Sequence, residues 1–409
     1  MEKKINKFFL SSALFLLLTA CGDDHSSTGK NKNDDVPKNN IENPVVRIEG
    51  FTKNNDVLDP VSAEQSLLTY KMLGVDGKET LATTLVFTPK TQEPKNGWSI
   101  VVWAHGTTGV ADKCAPSQQG LKGDEKLIAE LLKSGYVVVA PDYEGLGSEG
   151  NHPFLNLKSE AFSITDAVVA TRDYLSKQGK LISKEWLTVG HSQGGQAALG
   201  AAQYESRTQL DYKGTIAIAP ASNLEAILVL GESSVKDKPL EEQVSVFTGL
   251  DTFTSFIVAG MQGHNNSVPY NEVFKSDLGA IAPEAENKCL LGLGIDIAGG
   301  MALYAMDHNY SLLGYGRLQD NFMQNPTIKT FLNKDSQPLQ VKVKTPVIIY
   351  QGLSDTTIPS IATDLLVSNA KNKGTNIRYI TVPDLDHSTI YSSKVSDFIV
   401  DVKSLMPIQ

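Results

Sequence analysis

Between residues about 98 and 222 the chain alternates short, unbroken apolar runs with helical patterns. "GWSIVVWAHG" ends one run at Gly106, and "YVVVAPDYEG", "EWLTVG" and "GTIAIAPAS" supply three more. A strand wetted on one face alternates apolar and polar residues. One covered on both faces reads as a continuous apolar run, as these do. Between them "EKLIAELLKSG" sets apolar residues at 127, 128, 131 and 132, which is helix spacing, with Gly135 as a stop. "SEAFSITDAVVATRDYLSKQG" predicts a helix of about five turns, and "GQAALGAAQYESR" another. "PVVRIEGF" and "TLATTLVFTP" predict earlier strands, starting near 45. This rhythm predicts an α/β class, with a mostly parallel central sheet flanked by helices on both faces.

The rhythm stops after 222. Residues 223–340 hold no clear buried strand. They offer helical stretches ("LEEQVSVFTGLDTFTSFIVAGM", "NEVFKSDLGAI") and a glycine-rich apolar piece, "CLLGLGIDIAGGMALYAM". The sheet pattern returns with "TPVIIYQG", a helix near 360–372, "IRYITVPDLDH" and a closing helix to 403. The simplest organisation is one α/β core, residues 45–222 and 341–409, interrupted by a mainly helical insertion at 223–340.

The first 20 residues predict export. Lys3, Lys4 and Lys7 precede "FFLSSALFLLLTA", whose 13 residues fall short of the about 20 needed to span a bilayer. Leu18-Thr19-Ala20-Cys21 is similar to a bacterial lipobox, with residues 1–20 as a lipoprotein signal peptide and Cys21 as the lipidated N-terminus. Gly22, rather than Asp, follows it; by the enteric sorting rule this implies the outer membrane of the cell envelope. Residues 21–44 are polar and are expected to be a disordered tether. With Cys21 lipidated, Cys114 and Cys289 remain in a disulfide-permissive compartment: either they bridge, or they are two buried free thiols. The 409 residues are 41% hydrophobic and 20% charged, with a net charge of −9. Nothing in this balance suggests a nucleic-acid partner. No Cys/His cluster has metal-ligand spacing, and no cofactor is implied.

The chemistry is at Gly190-His191-Ser192-Gln193-Gly194, which fits Gly-x-Ser-x-Gly. The five residues alone are a weak signal. Their place after a buried strand and before a helix strengthens it, because a nucleophile elbow needs small neighbours around a strained serine. The Gln193 amide, at a helix N-terminus, is a candidate oxyanion donor. A second donor should come from the loop after "VVWAHG", where Thr107 is favoured. A serine on this fold needs an acid and then a histidine further along the chain. His387, after the last strand, is the candidate base; His264 and His308 fall in the insertion. Asp355 in "LSDTTIP" is the candidate acid, since Asp384 and Asp386 are too close to His387 to reach its Nδ1. His105, Asp142 and His152 are read as structural, with a substrate-pocket contact as the alternative for His152.

"AHGTTGVADKCAPS", "APDYEGLGSEGNHPFL", "GHSQGGQAAL" and "GLSDTTIP" together resemble the secretory lipase family of α/β hydrolases. The resemblance covers roughly 98–222 and 343–392. It implies the α/β-hydrolase fold, carboxylic ester hydrolysis and a helical cap over the site, formed by the insertion. The expectation is a serine carboxylesterase or lipase acting on acylglycerol-like esters through Ser192, Asp355 and His387, anchored to a membrane by its N-terminal lipid and monomeric. Two other readings stay open: a serine peptidase on the same fold, and a catalytically idle surface-binding lipoprotein.

Overall fold

A computed structural model describes residues 36–53 and 55–408. The expected signal segment and Cys21 lie outside the described residues. Nine strands among those described form one sheet: β1 (Val45–Gly50), β2 (Ser62–Leu73), β3 (Glu79–Pro89), β4 (Trp98–Ala104), β5 (Val137–Pro141), β6 (Ile182–His191), β7 (Asp211–Ile218), β8 (Val347–Gly352) and β9 (Ile377–Val382). Their order is β1-β2-β3-β5-β4-β6-β7-β8-β9. The β1–β2, β2–β3 and β3–β5 pairs are antiparallel; from β5 onward every pair is parallel.

Counting helices of nine residues or more, α1 (Glu125–Lys133), α2 (Leu157–Lys177) and α3 (Gln193–Gln203) connect β4 to β7 in turn. α4 (Leu224–Ser234), α5 (Leu240–Met261) and α6 (Leu290–Asp307) lie between β7 and β8, where the described residues contain no strand. α7 (Ser360–Asn372) joins β8 to β9, and α8 (Val395–Leu405) follows. The apolar runs are explained by two cores. On β4, Ile100 and Val102 pack into a cluster with Ile164, Val168 and Ala197. Val101 and Trp103 face the other side, among Leu127, Leu131, Phe398 and Val402. The insertion has its own cluster, including Phe256, Leu293, Ile297 and Met301.

Two elements differ from expectation. β2, "SAEQSLLTYKML", was not signalled by the pattern. Its Leu68, Tyr70 and Met72 are buried, and Ser66 and Tyr70 hydrogen-bond α2 through the Tyr174 hydroxyl and the Ser163 carbonyl. The tether, expected to extend to 44, is fastened before that. Asn39 is buried, donating from its backbone to the Arg207 carbonyl and from its side chain to Asp166. Arg207 and Asp166 form a buried two-bond pair at 2.7 and 2.8 Å, and Arg207 also takes the Pro37 carbonyl at 2.7 Å. A polar segment with little apolar surface is held here by charge-assisted hydrogen bonds.

Candidate active site

Ser192 is the residue at which β6 turns into α3. Its φ of 59° and ψ of −120° lie in a region a side chain enters only at a steric cost. The turn holds because its backbone is fully engaged. Ser192 N–H donates to the Ile218 carbonyl at 2.9 Å, and the Ser192 carbonyl accepts from Gln196 and Ala221. The small neighbours are required. A Cβ on Gly190 would overlap the Gly194 carbonyl, and one on Gly194 the Ala104 carbonyl.

His387 stands in the loop after β9. Its Nδ1 is 2.8 Å from Asp355 Oδ2, and its Nε2 is 2.9 Å from Ser192 Oγ. A carboxylate only accepts, so Nδ1 carries the proton, and Nε2 is left to accept the serine hydroxyl. Asp355, on the turn after β8, is itself fixed. Oδ1 accepts from the Thr357 and Ile358 amides at 2.9 and 2.8 Å, and Oδ2 from Gln351 Nε2 at 3.2 Å. Asp386 points elsewhere: it accepts from the Ser388 and Thr389 amides and the Thr389 hydroxyl, bonds that hold its carboxyl below the usual range.

The loop after β4 closes against the elbow, so that a Cβ on Gly106 would sit 3.8 Å from Ser192 Cβ. The Thr107 and Gln193 amides have no acceptor among the described residues. The Gln193 side chain turns inward and donates at 2.7 Å to both Glu160 Oε1 and His152 Nε2. His152 in turn donates from Nδ1 to the Glu144 carbonyl. Glu160 is fully buried; burial pushes its carboxyl up, against hydrogen bonds from Gln193 and the Leu155 amide. Glu160 carried no signal in the sequence, being one acid among many on a predicted helix. His105 is buried between the Gly106 and Asp142 carbonyls, and desolvation lowers its pKa to about 4. The buried Asp142 carboxylate accepts from Thr83 and the Ser117 amide.

Thr107, Ser192, Gln193 and Asp355 open onto one cavity of about 660 Å³. The rest of its wall is largely apolar; most of it comes from α4 and α5, including Leu224, Ile227, Leu228, Val246 and Phe253, with Phe154, Leu155 and Ile358 from the core. Cys114 and Cys289 form a disulfide, with Cα atoms 5.4 Å apart. Beside it, the Leu290 amide donates to the Thr108 carbonyl at 2.8 Å, so the start of α6 is fastened to the loop after β4. Among the described residues no group of three or more His, Cys, Asp or Glu could hold a metal ion.

The fold is that of known α/β hydrolases. The rice cell wall degrading esterase LipA from Xanthomonas oryzae superposes with a TM-score of 0.65 at 18% identity, over 89% of this chain and 98% of its own. Candida antarctica lipase A gives 0.62 at 17% identity, over 88% and 83%. No curated protein matches the sequence. The secretory lipase family matches residues 117–396, which include the elbow, the acid and the histidine. The chain therefore belongs to the secretory lipase family, as a hydrolase of the lipase and esterase kind.

Proposed function

We propose that the protein is a serine hydrolase that cleaves acylglycerol-like carboxylic esters through an acyl-enzyme. The observation that carries this is the pair of contacts made by one imidazole, 2.8 Å to Asp355 and 2.9 Å to Ser192, at the wall of an apolar cavity. Ser192 Oγ attacks the ester carbonyl while His387 Nε2 takes its proton. Asp355 holds the Nδ1–H tautomer and stabilises the imidazolium. The Gln193 and Thr107 amides, which have no acceptor among the described residues, bind the oxyanion. His387 returns the proton to the leaving alcohol. Water, deprotonated by the same imidazole, then releases the acid and restores Ser192.

In this reading the acyl chain lies between α4 and α5, and residues 223–340 act as the cap. The enzyme is exported, processed at Cys21 and carried on the outer membrane by its lipid. Triad geometry alone does not choose between esters and amides; the apolar cavity favours the ester of a long acyl chain. The test is a panel of p-nitrophenyl esters from acetyl to palmitoyl beside aminoacyl anilides. Esters are expected to be turned over. Ser192→Ala should lower kcat by about 10⁴ to 10⁶, and Asp355→Asn by about 10⁴, with Asp386→Asn near wild type. Anilide cleavage without ester cleavage would make it a peptidase, and no turnover of either an idle binding protein.

A further inference from the structure

His191 has no role in the chemistry above, yet its ring reaches the loop that carries the base. Its Nε2 lies 2.8 Å from the backbone carbonyl of His387. A carbonyl only accepts, so Nε2 bears the proton and donates it. Among the described residues this is the hydrogen bond made by the His387 backbone; its amide makes none. The neighbours hold the loop only to either side: the Leu385 carbonyl accepts from Ser354, and the Asp386 carbonyl from Ile390. Pro383, Asp384, Asp386 and Ser388 are exposed.

The ring of His191 is itself clamped. It stacks on Tyr391 with centroids 5.2 Å apart and planes at 14°. Tyr391 stacks in turn on Trp103, at 5.3 Å and 18°. Both aromatic residues donate to one half-buried carboxylate: the Tyr391 hydroxyl to Asp124 Oδ1 at 3.1 Å, and Trp103 Nε1 to Oδ2 at 2.8 Å. The donor that meets the His387 carbonyl is thus carried on a ring whose place is set by β4, by Asp124 at the cap position just before α1 and by the short helix Thr389–Ser393.

We propose that His191 is a positioning residue, whose Nε2–H pins the backbone of His387 so that the imidazole stays in line with Ser192 Oγ. The proposal rests on the Ser192–His387 reading given above. Two adjacent residues then fix the base at both ends: His191 holds its main chain and Ser192 meets its ring tip. A base held only through its ring, by Asp355 at Nδ1 and Ser192 at Nε2, can still shift with its loop, and a displacement of about 1 Å can cost about 10²-fold in rate. The chemistry also explains the choice of donor. A lysine or arginine would bring a permanent charge beside a ring that becomes cationic, 4.7 Å away by centroids. Desolvation, reinforced by the neighbouring His387, lowers the His191 pKa to about 3, so it donates as a neutral group.

The test separates the hydrogen bond from the packing. His191→Phe keeps a ring for Tyr391 and loses the N–H. His191→Gln loses the ring and keeps an N–H at similar reach. With p-nitrophenyl butyrate, kcat should fall by about 10- to 100-fold in His191→Phe, with KM within about twofold, whereas His191→Gln should retain at least about a third of kcat. A kcat near wild type in His191→Phe, or an equal loss in both variants, overturns the proposal. If His191→Phe does not fold, His191→Asn, whose amide stops short of the carbonyl, should show the same loss in kcat, and an unchanged kcat overturns the claim. The structure of the folded variant reads the same point without any ester. The loop at 384–388 should shift and His387 Nε2 should leave Ser192 Oγ; an unchanged 2.9 Å contact overturns the positioning role, whatever the substrate proves to be.

Discussion

Removing the Cys114–Cys289 bond should lower stability by a predictable amount, with little change in the folded shape. The bond closes a loop of 175 residues. In the chain-entropy description, opening a loop of that length frees the unfolded chain by about 5 kcal/mol at 25 °C. The folded state should change little. The Leu290–Thr108 hydrogen bond and the bridge between Gly109 and Cys289 remain to hold the start of α6 against the loop after β4. Cys114 is fully buried, so alanine is a better replacement than serine, which would strand a hydroxyl. A body of roughly 370 residues has an unfolding entropy near 0.8 kcal/mol per degree, so 5 kcal/mol corresponds to a melting shift of about 6 °C. Scanning calorimetry should place Cys114→Ala, Cys289→Ala, the double variant and the reduced wild type together, about 6 °C below the oxidised wild type, because each lacks the same bond. Melting within about 1 °C of the oxidised protein, or a double variant twice as damaged as either single one, would refute the entropic argument.

Gly249 lines the apolar cavity, and a Cβ built on it meets nothing within 4 Å. Gly249→Phe should therefore fill the cavity without harming α5, abolishing palmitoyl ester hydrolysis while sparing acetyl and butyryl esters; uniform loss over chain length in a kcat/KM profile would place the acyl chain elsewhere. A pH effect follows from His105, whose pKa falls from 6.5 to about 4 on burial. Because the folded value is the lower one, the unfolded chain takes up a proton between about 6.5 and 4 that the folded protein refuses, and stability falls with pH across that window. Denaturant melts should show the wild type losing stability relative to His105→Gln as pH drops from 6.5 to 4; a constant difference would mean His105 titrates normally.

The parallel half of the sheet was legible because its strands are covered on both faces. β4 and β5 could only read as apolar runs once Val101 and Val102 met different cores. The elbow was legible for a steric reason, since Gly190 and Gly194 face backbone carbonyls. Asp355 and His387 followed from chain order and strand ends. β2 was not legible. Its buried Ser66, Leu68, Tyr70 and Met72 alternate, but Leu67 and Lys71 on the other face are half-buried too, and Glu64, Gln65 and Lys71 break the apolar run. The end of the tether was hidden because its hold is remote: Asn39 meets Asp166, 127 residues away. His191 gave no sign for the same reason, since the carbonyl it holds lies 196 residues further along the chain.

The central claim, that Ser192 forms a covalent intermediate while His387 draws off its proton, is tested most directly by trapping. The protein is incubated with a fluorophosphonate, its intact mass is measured, and the labelled peptide is mapped. One phosphonyl group should appear, on Ser192 and nowhere else. It should be absent from Ser192→Ala and added far more slowly to Asp355→Asn. A wild-type protein that hydrolyses esters yet carries no label, or carries it on another residue, would contradict the account.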